Sequence, residues 1–127
     1  MKKETKLWLT QAREHFKDAL YLYDGSRYSA CVFFCHQALE KILKACVVEF
    51  GNKVPSKVHQ LDKIVREANL KLPKGWEVDL AEITRHFWKV RYPDFRRYVY
   101  TNKESAGPTI KKTKEIYQWI LKKLNQQ

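Results

Sequence analysis

Between Arg85 and Tyr100 the chain reads Arg-His-Phe-Trp-Lys-Val-Arg-Tyr-Pro-Asp-Phe-Arg-Arg-Tyr-Val-Tyr, with cations and aromatic rings interleaved. Arg85, Lys89, Arg91, Arg96 and Arg97 face a single acid, Asp94. Guanidinium forks suit phosphate oxygens and neighbouring rings can stack on bases, so a nucleotide or single-stranded RNA is a coherent ligand. A second arrangement is open: Phe87 and Trp88 fill a core, Asp94 pairs with Arg91 or Arg97, and the other cations are solvated.

A second constellation is His36-Gln-Ala-Leu-Glu-Lys41, continued by Lys44. His36 to Glu40, Gln37 to Lys41 and Glu40 to Lys44 are four-residue spacings, which set partners side by side on a helix. An exposed strip of ordinary helical pairs fits this pattern. So does a set near the middle of a bundle, where a buried carboxylate and ammonium are costly unless paired. In a functional version Lys41 or Lys44 contacts a phosphate while Glu40 orients a neighbouring cation.

Other chemistries have no anchor. Cys31 and Cys35 sit one helical turn apart, but His36 points elsewhere and no second ligand pair has recognisable spacing, so no metal site or cofactor is expected. The sequence has no glycine-rich phosphate loop, nucleophile elbow or His-Glu-x-x-His.

These residues must be carried by helices. From Thr5 to Tyr23 the apolar residues Trp8, Ala12, Phe16, Ala19, Leu20 and Tyr23 follow helical period. Asp24-Gly25-Ser26 supplies a C-terminal glycine and a capping serine. A second helix, Arg27 to Phe50, has the broadest apolar face and is expected to be central, ending at Gly51-Asn52. A third is expected over Val58 to Asn69. A fourth, Trp76 to Lys89, turns Leu80, Ile83, Phe87 and Val90 inward before Pro93 forces Tyr92 out of helical geometry. Arg91 to Ala106 reads as a long irregular segment of the functional kind. Gly107-Pro108 is expected to open the last helix. The result is an all-α, up-and-down bundle of about five helices.

At 127 residues, 44% apolar and 31% charged, one domain spanning residues 1–127 is expected. Lys and Arg exceed Asp and Glu by 25 to 14, a net +11 that favours anionic partners without deciding among them. The odd cysteine count and the absence of an apolar leader predict free thiols and a cytoplasmic location. No stretch approaches the roughly 20 apolar residues of a membrane span.

In order along the chain, Ala19-Leu20, Tyr28-Ser-Ala30, Phe34-Cys-His-Gln-Ala-Leu-Glu-Lys-Ile-Leu-Lys-Ala45, His59-Gln-Leu61 and Arg91-Tyr-Pro-Asp94 resemble a HEPN domain over almost the whole length. The resemblance implies a five-helix bundle, a symmetric homodimer, nucleotide or RNA binding, and association with a minimal nucleotidyltransferase in toxin-antitoxin-like two-gene systems. Many such proteins are metal-independent ribonucleases using an arginine followed four to six residues later by a histidine. This sequence departs from that pattern, because none of His15, His36, His59 and His86 stands at that spacing after an arginine. Without it, activation of a ribose 2′-hydroxyl lacks its usual base.

The expected function is therefore non-catalytic nucleotide or nucleic-acid binding. The binding residues are Arg91, Tyr92, Asp94, Arg96 and Arg97, set opposite a strip of His36, Glu40, Lys41 and Lys44. The rivals are a ribonuclease toxin whose substitute residue is His86, His59 or Tyr92, and a protein-interaction adaptor using Trp88, Phe95 and Tyr98 as its patch.

Overall fold

Helical period governs the N-terminal segment: Thr5, Leu9, Ala12 and Ala19 are buried on one side of α1, Lys3–Asp24, in a computed structural model that describes residues 1–92 and 102–126. The following turn is tighter than the sequence suggests. Gly25 keeps a negative φ, and Ser26 takes the left-handed conformation at φ 61°. The Arg27 and Ser26 amides close back on the Leu22 and Tyr23 carbonyls at 2.8 and 3.1 Å. This is a Schellman closure with serine where glycine is usual. Ser26 therefore ends α1 and, contrary to expectation, does not cap α2, whose N-cap Arg27 makes no side-chain bond.

The central helix α2, Tyr28–Glu49, runs antiparallel to α1. Their far ends are pinned by Lys2 N–H and Thr5 Oγ1, which both donate to Glu49 Oε1 at 2.9 and 2.8 Å. Cys31, Cys35, Leu39, Ile42, Leu43, Cys46 and Val47 are all fully buried along α2. Burial raises the Cys46 thiol to about 12, and the three cysteines form no disulfide and pack as small apolar side chains. Gly51 follows α2 where a Cβ would stand 2.6 Å from the Glu67 carbonyl oxygen and 2.7 Å from that of Val47. Only glycine permits this approach of α2 to the next helix.

That helix, α3, is Leu61–Glu67, three residues later in starting than the spacing predicts. Tertiary hydrogen bonds explain the delay. The His59 carbonyl accepts from His36 Nε2 at 2.7 Å, and the Leu61 amide donates to Thr84 Oγ1 at 3.1 Å. Val58 still packs against the core.

Gly75, left-handed at φ 88°, opens α4, Trp76–Arg91. Glu77 and Asp79 in its first turn and Lys89 and Arg91 in its last complement the helix dipole. Tyr92 is extended, φ −107° and ψ 123°, as a residue before proline must be.

The last helix, α5, is Lys103–Asn125, opening at Lys103 and not at Gly107-Pro108 as the sequence suggests. Asn102 and Ser105 form a reciprocal capping box there, a stronger start signal than the proline. Pro108 is tolerated inside because Gly107 offers no Cβ to clash with its ring. Among the described residues Arg91, the last residue of α4, and Lys103–Ala106 are thus helical, shortening the expected irregular stretch at both ends.

The five described helices and no described strand make an up-and-down bundle around α2, with α4 antiparallel and α5 parallel to it. Its main core joins Leu9, Leu39, Leu43, Ile64, Leu80, Ile116 and Ile120 from every described helix. No described helix is long and apolar enough to cross a membrane.

Candidate nucleic-acid interface

The polar side chains of α2 are inside the bundle. His36 is fully buried, and Glu40 and Lys44 nearly so, while Lys41 and Gln37 are half-buried. The exposed-strip arrangement therefore does not occur. Glu40 is shared: Oε2 accepts from Lys44 Nζ at 3.2 Å and Oε1 from His59 Nδ1 at 2.8 Å. Burial pushes the Glu40 carboxyl up, but the His59 hydrogen bond and the charges of Lys44 and His36 more than offset this, and its pKa falls below the usual value. Lys44 and Lys41 lie over the Trp8 ring of α1, 5.7 and 5.3 Å from its centre. Lys44 is thus committed to the interior by a carboxylate and a ring face.

His36 ties this group to α4. Its ring stacks on Phe87 at 3.7 Å and 13°, and its Nε2 bonds to the backbone of the segment entering α3. Desolvation lowers its pKa to about 4 despite favourable contacts with the His59 carbonyl and Glu40, so it is neutral at physiological pH.

Phe87 leads outward to Arg91. The Arg91 guanidinium carbon is 5.3 Å from the centre of Phe87 and 5.1 Å from that of Trp88. Among the described residues no carboxylate lies within ion-pair distance of Arg91, whereas Arg85 and His86 are both drawn to Glu82. Burial lowers the His86 pKa, with Lys89 and Arg85 adding to the effect. Tyr92, 54% exposed, follows Arg91. Beside them a groove of about 320 Å³ is lined by Ser29, Ala30, Phe33, Phe34, Val90 and Arg91.

The structure therefore brings Arg91 and His36 to the same ring, Phe87, and links His36, Glu40 and Lys44 through the interior. Lys41 shares the Trp8 ring with Lys44 but takes no part in the Glu40 pairing. Asp94, Arg96 and Arg97, like Phe95 and Tyr98, lie outside the described residues. Sequence reasoning missed the pairing of His59 with Glu40 and the contribution of Phe33 and Phe34. The i, i+4 rule cannot find a partner 19 residues away, and the expected helix from Val58 places His59 inside α3. Among the described residues no cluster of His, Cys, Asp or Glu could hold a metal ion.

A family model described as "HEPN domain" matches residues 5–124. No curated protein sequence matches the chain significantly. The crystal structure of TT1696 from Thermus thermophilus superposes with a TM-score of 0.81 at 18% identity, covering 96% of this chain and 99% of that one. The crystal structure of ST0689, an archaeal HEPN homologue, gives 0.67 at 20% identity over 97% and 98%. These two similarities establish a shared fold, and the family match over nearly the whole length establishes descent: the chain belongs to the HEPN domain family.

Proposed function

We propose that this chain is a nucleotide- or nucleic-acid-binding HEPN protein that acts as a homodimer and as the partner of a minimal nucleotidyltransferase in a toxin-antitoxin-like two-gene system, binding its ligand without cleaving it. The observation that carries the reading is Arg91. A guanidinium with no described carboxylate partner lies over Phe87 and Trp88, at the rim of a groove whose walls include Phe33 and Phe34. Such a site offers one phosphate two or more charge-assisted donors and offers a base aromatic surface. Family membership supports a nucleic-acid-related or toxin-like role. The Arg91-Tyr-Pro-Asp94 sequence, without a histidine four to six residues on, supports binding over cleavage.

The test is titration of the purified protein with ATP, GTP and short RNA at low salt, followed by tryptophan fluorescence. A saturable change that weakens as salt rises is expected. Absence of response to all three ligands, or a salt-independent response, overturns the binding reading. Co-purification with a co-expressed minimal nucleotidyltransferase tests the partner.

One observation favours a second reading, a metal-independent ribonuclease. His59 is held through Nδ1 by the Glu40 carboxylate and its side chain is 42% exposed, so Nε2 is available as a base. Cleavage of RNA in the presence of chelator, lost in both His59→Ala and Arg91→Ala, establishes this reading; intact RNA after long incubation removes it.

A further inference from the structure

Arg91 borders two neighbourhoods. It lines the groove with Ser29, Phe33 and Phe34, and its guanidinium lies over Phe87 and Trp88. The same two rings carry a polar group from another part of the chain. The His59 ring centre is 5.8 Å from that of Phe87 and 6.2 Å, edge-on, from that of Trp88. Guanidinium and imidazole are thus separated by no more than two ring contacts laid end to end, a gap that one phosphate and its ribose bridge.

His59 is held in one orientation. Its carbonyl accepts from His36 Nε2 at 2.7 Å, the Leu61 amide donates to Thr84 Oγ1 at 3.1 Å, and its Nδ1 is bonded to Glu40 Oε1 at 2.8 Å. Charge fixes the donor in that last bond. Burial works against ionisation of Glu40, but the His59 hydrogen bond and the charges of Lys44 and His36 outweigh it, leaving a carboxylate, which only accepts. Nδ1 therefore carries the proton, and Nε2, on the opposite edge of the ring, is an acceptor whenever the ring is neutral. Among the described residues Nε2 has no hydrogen-bond partner, and the side chain is half-exposed.

The polarity of that edge decides what it recognises. A phosphate oxygen is itself an acceptor and is not drawn to a nitrogen lone pair with the Glu40 charge behind the ring. A hydroxyl donates to it. Anion binding stays with Arg91, because the nearby acids are engaged: Asp62 pairs with Arg66 at 3.7 Å, and Glu82 with Arg85 and His86. In a nucleic acid the hydroxyl beside a phosphate is the ribose 2′-hydroxyl, which DNA lacks.

We infer that His59 is a specificity residue of the Arg91 site: with a phosphodiester on Arg91, the adjacent ribose donates its 2′-hydroxyl to His59 Nε2, and the site selects single-stranded RNA over DNA. The contact rests on the Arg91 reading above and requires no cleavage. Glu40 is its positioning residue, held in turn by Lys44 inside the bundle.

Fluorescence anisotropy of one short labelled sequence, made as RNA, as DNA and with 2′-fluoro riboses, tests the contact at low salt and about pH 8, above the ordinary imidazole range. Fluorine keeps the ribose-like sugar pucker but has no proton to donate. The natural chain should bind RNA about three- to tenfold tighter than the 2′-fluoro strand, the worth of one hydrogen bond. That comparison changes only the ligand. In His59→Asn the side-chain amide can still donate to Glu40, but nothing stands in place of Nε2. The preference for RNA should vanish there while affinity for the 2′-fluoro strand is kept. If thermal melting shows that this variant does not fold, the nitrogen NMR shift of His59 Nε2 in the natural chain reads the same contact, moving with RNA and not with the 2′-fluoro strand. Arg91→Ala should weaken binding of every strand and leave their ratios unchanged.

Equal binding of RNA and the 2′-fluoro strand by the natural chain overturns the contact and leaves the Arg91 reading standing. A preference for RNA that survives in His59→Asn assigns the hydroxyl to another residue and overturns it as well. Absence of binding to every strand overturns the Arg91 reading and the contact with it. RNA cut while the 2′-fluoro strand stays whole would make His59 a base in place of a hydrogen-bond acceptor, and the contact as stated would fall.

Discussion

The Glu40 carboxylate, with a side chain only 3% exposed, holds the half-exposed His59 imidazole by a 2.8 Å hydrogen bond and the buried Lys44 ammonium by one of 3.2 Å. One carboxylate thus satisfies an interior cation and orients a histidine at the surface. Neither interaction is a surface ion pair, and the consequences of breaking them differ accordingly.

Glu40→Gln should be strongly destabilising, because it leaves the Lys44 charge buried without its counterion. A cost of about 3 kcal/mol is expected, read as a lowered urea midpoint with an unchanged slope. Glu40→Gln/Lys44→Met, which removes the orphaned charge and keeps the volume, should regain most of it. A double variant no more stable than the single one would show that Lys44 stabilises by something other than its charge pairing.

His36 sets the acid limb of stability. Its pKa in the folded chain, about 4, lies below its ordinary 6.5 because burial beside Phe87 disfavours the charged ring. The unfolded chain therefore binds a proton below pH 6.5 that the folded chain refuses. The contribution is fully present above about 6.5 and is lost as pH falls toward about 4, amounting to about 3 kcal/mol over that window. Glu40, whose pKa is also lowered, acts in the same direction at more acid pH. Urea midpoints measured from about pH 7.5 to about 4.5 should decline for the natural chain from just below about 6.5, where carboxylates do not titrate. His36→Gln should reduce that onset, leaving the part that comes from His86, whose pKa is also lowered, and an identical decline in the variant would place the sensitivity elsewhere.

The turn at Ser26 stores removable strain. A serine at φ 61° occupies the region that glycine enters at no steric cost, and its side chain reaches only Tyr28 Oη at 3.3 Å. Ser26→Gly should stabilise the α1–α2 hairpin by about 1 kcal/mol. Gly51→Ala should do the opposite, since the added Cβ meets two backbone oxygens that cannot move aside; a loss of about 2 kcal/mol or more is expected in thermal melts. Asn102→Ala, which removes the capping box of α5, should cost about 1 kcal/mol.

These positions mark where the sequence was legible and where it was not. Periodicity located α1, α2 and α4 because each has a continuous buried face; the expected exit from helical geometry at Tyr92 is seen there as extended backbone, although α4 runs two residues past the expected Lys89. The Glu40–Lys44 pair was readable because four-residue spacing is a local property. Whether that pair lay inside or outside was not, because α2 is surrounded by α1, α3, α4 and α5 and burial depends on all of them. The start of α3 was hidden for the same reason: His59 and Leu61 are held by side chains on α2 and α4, and their local sequence carries no trace of it. At α5 two local signals competed, and the capping box of Asn102 and Ser105 outweighed the familiar proline. Arg91 stood out as a cation among rings, but its lack of a described acidic partner and its seat over Phe87 and Trp88 belong to the fold.

Arg91 itself yields the sharpest test of the groove, because its planar guanidinium can stack on Trp88 and donate to a phosphate together, while lysine offers only a point charge. Arg91→Ala should weaken binding of ATP or short RNA by about tenfold to a hundredfold, the range of a lost charge-assisted contact. Arg91→Lys should retain the salt dependence of binding but recover only part of the affinity, since the stacked fork is lost. Isothermal titration at two salt concentrations separates these outcomes. Full affinity in Arg91→Lys would mean that charge alone matters at this position, and full affinity in Arg91→Ala would remove Arg91 from the binding surface altogether.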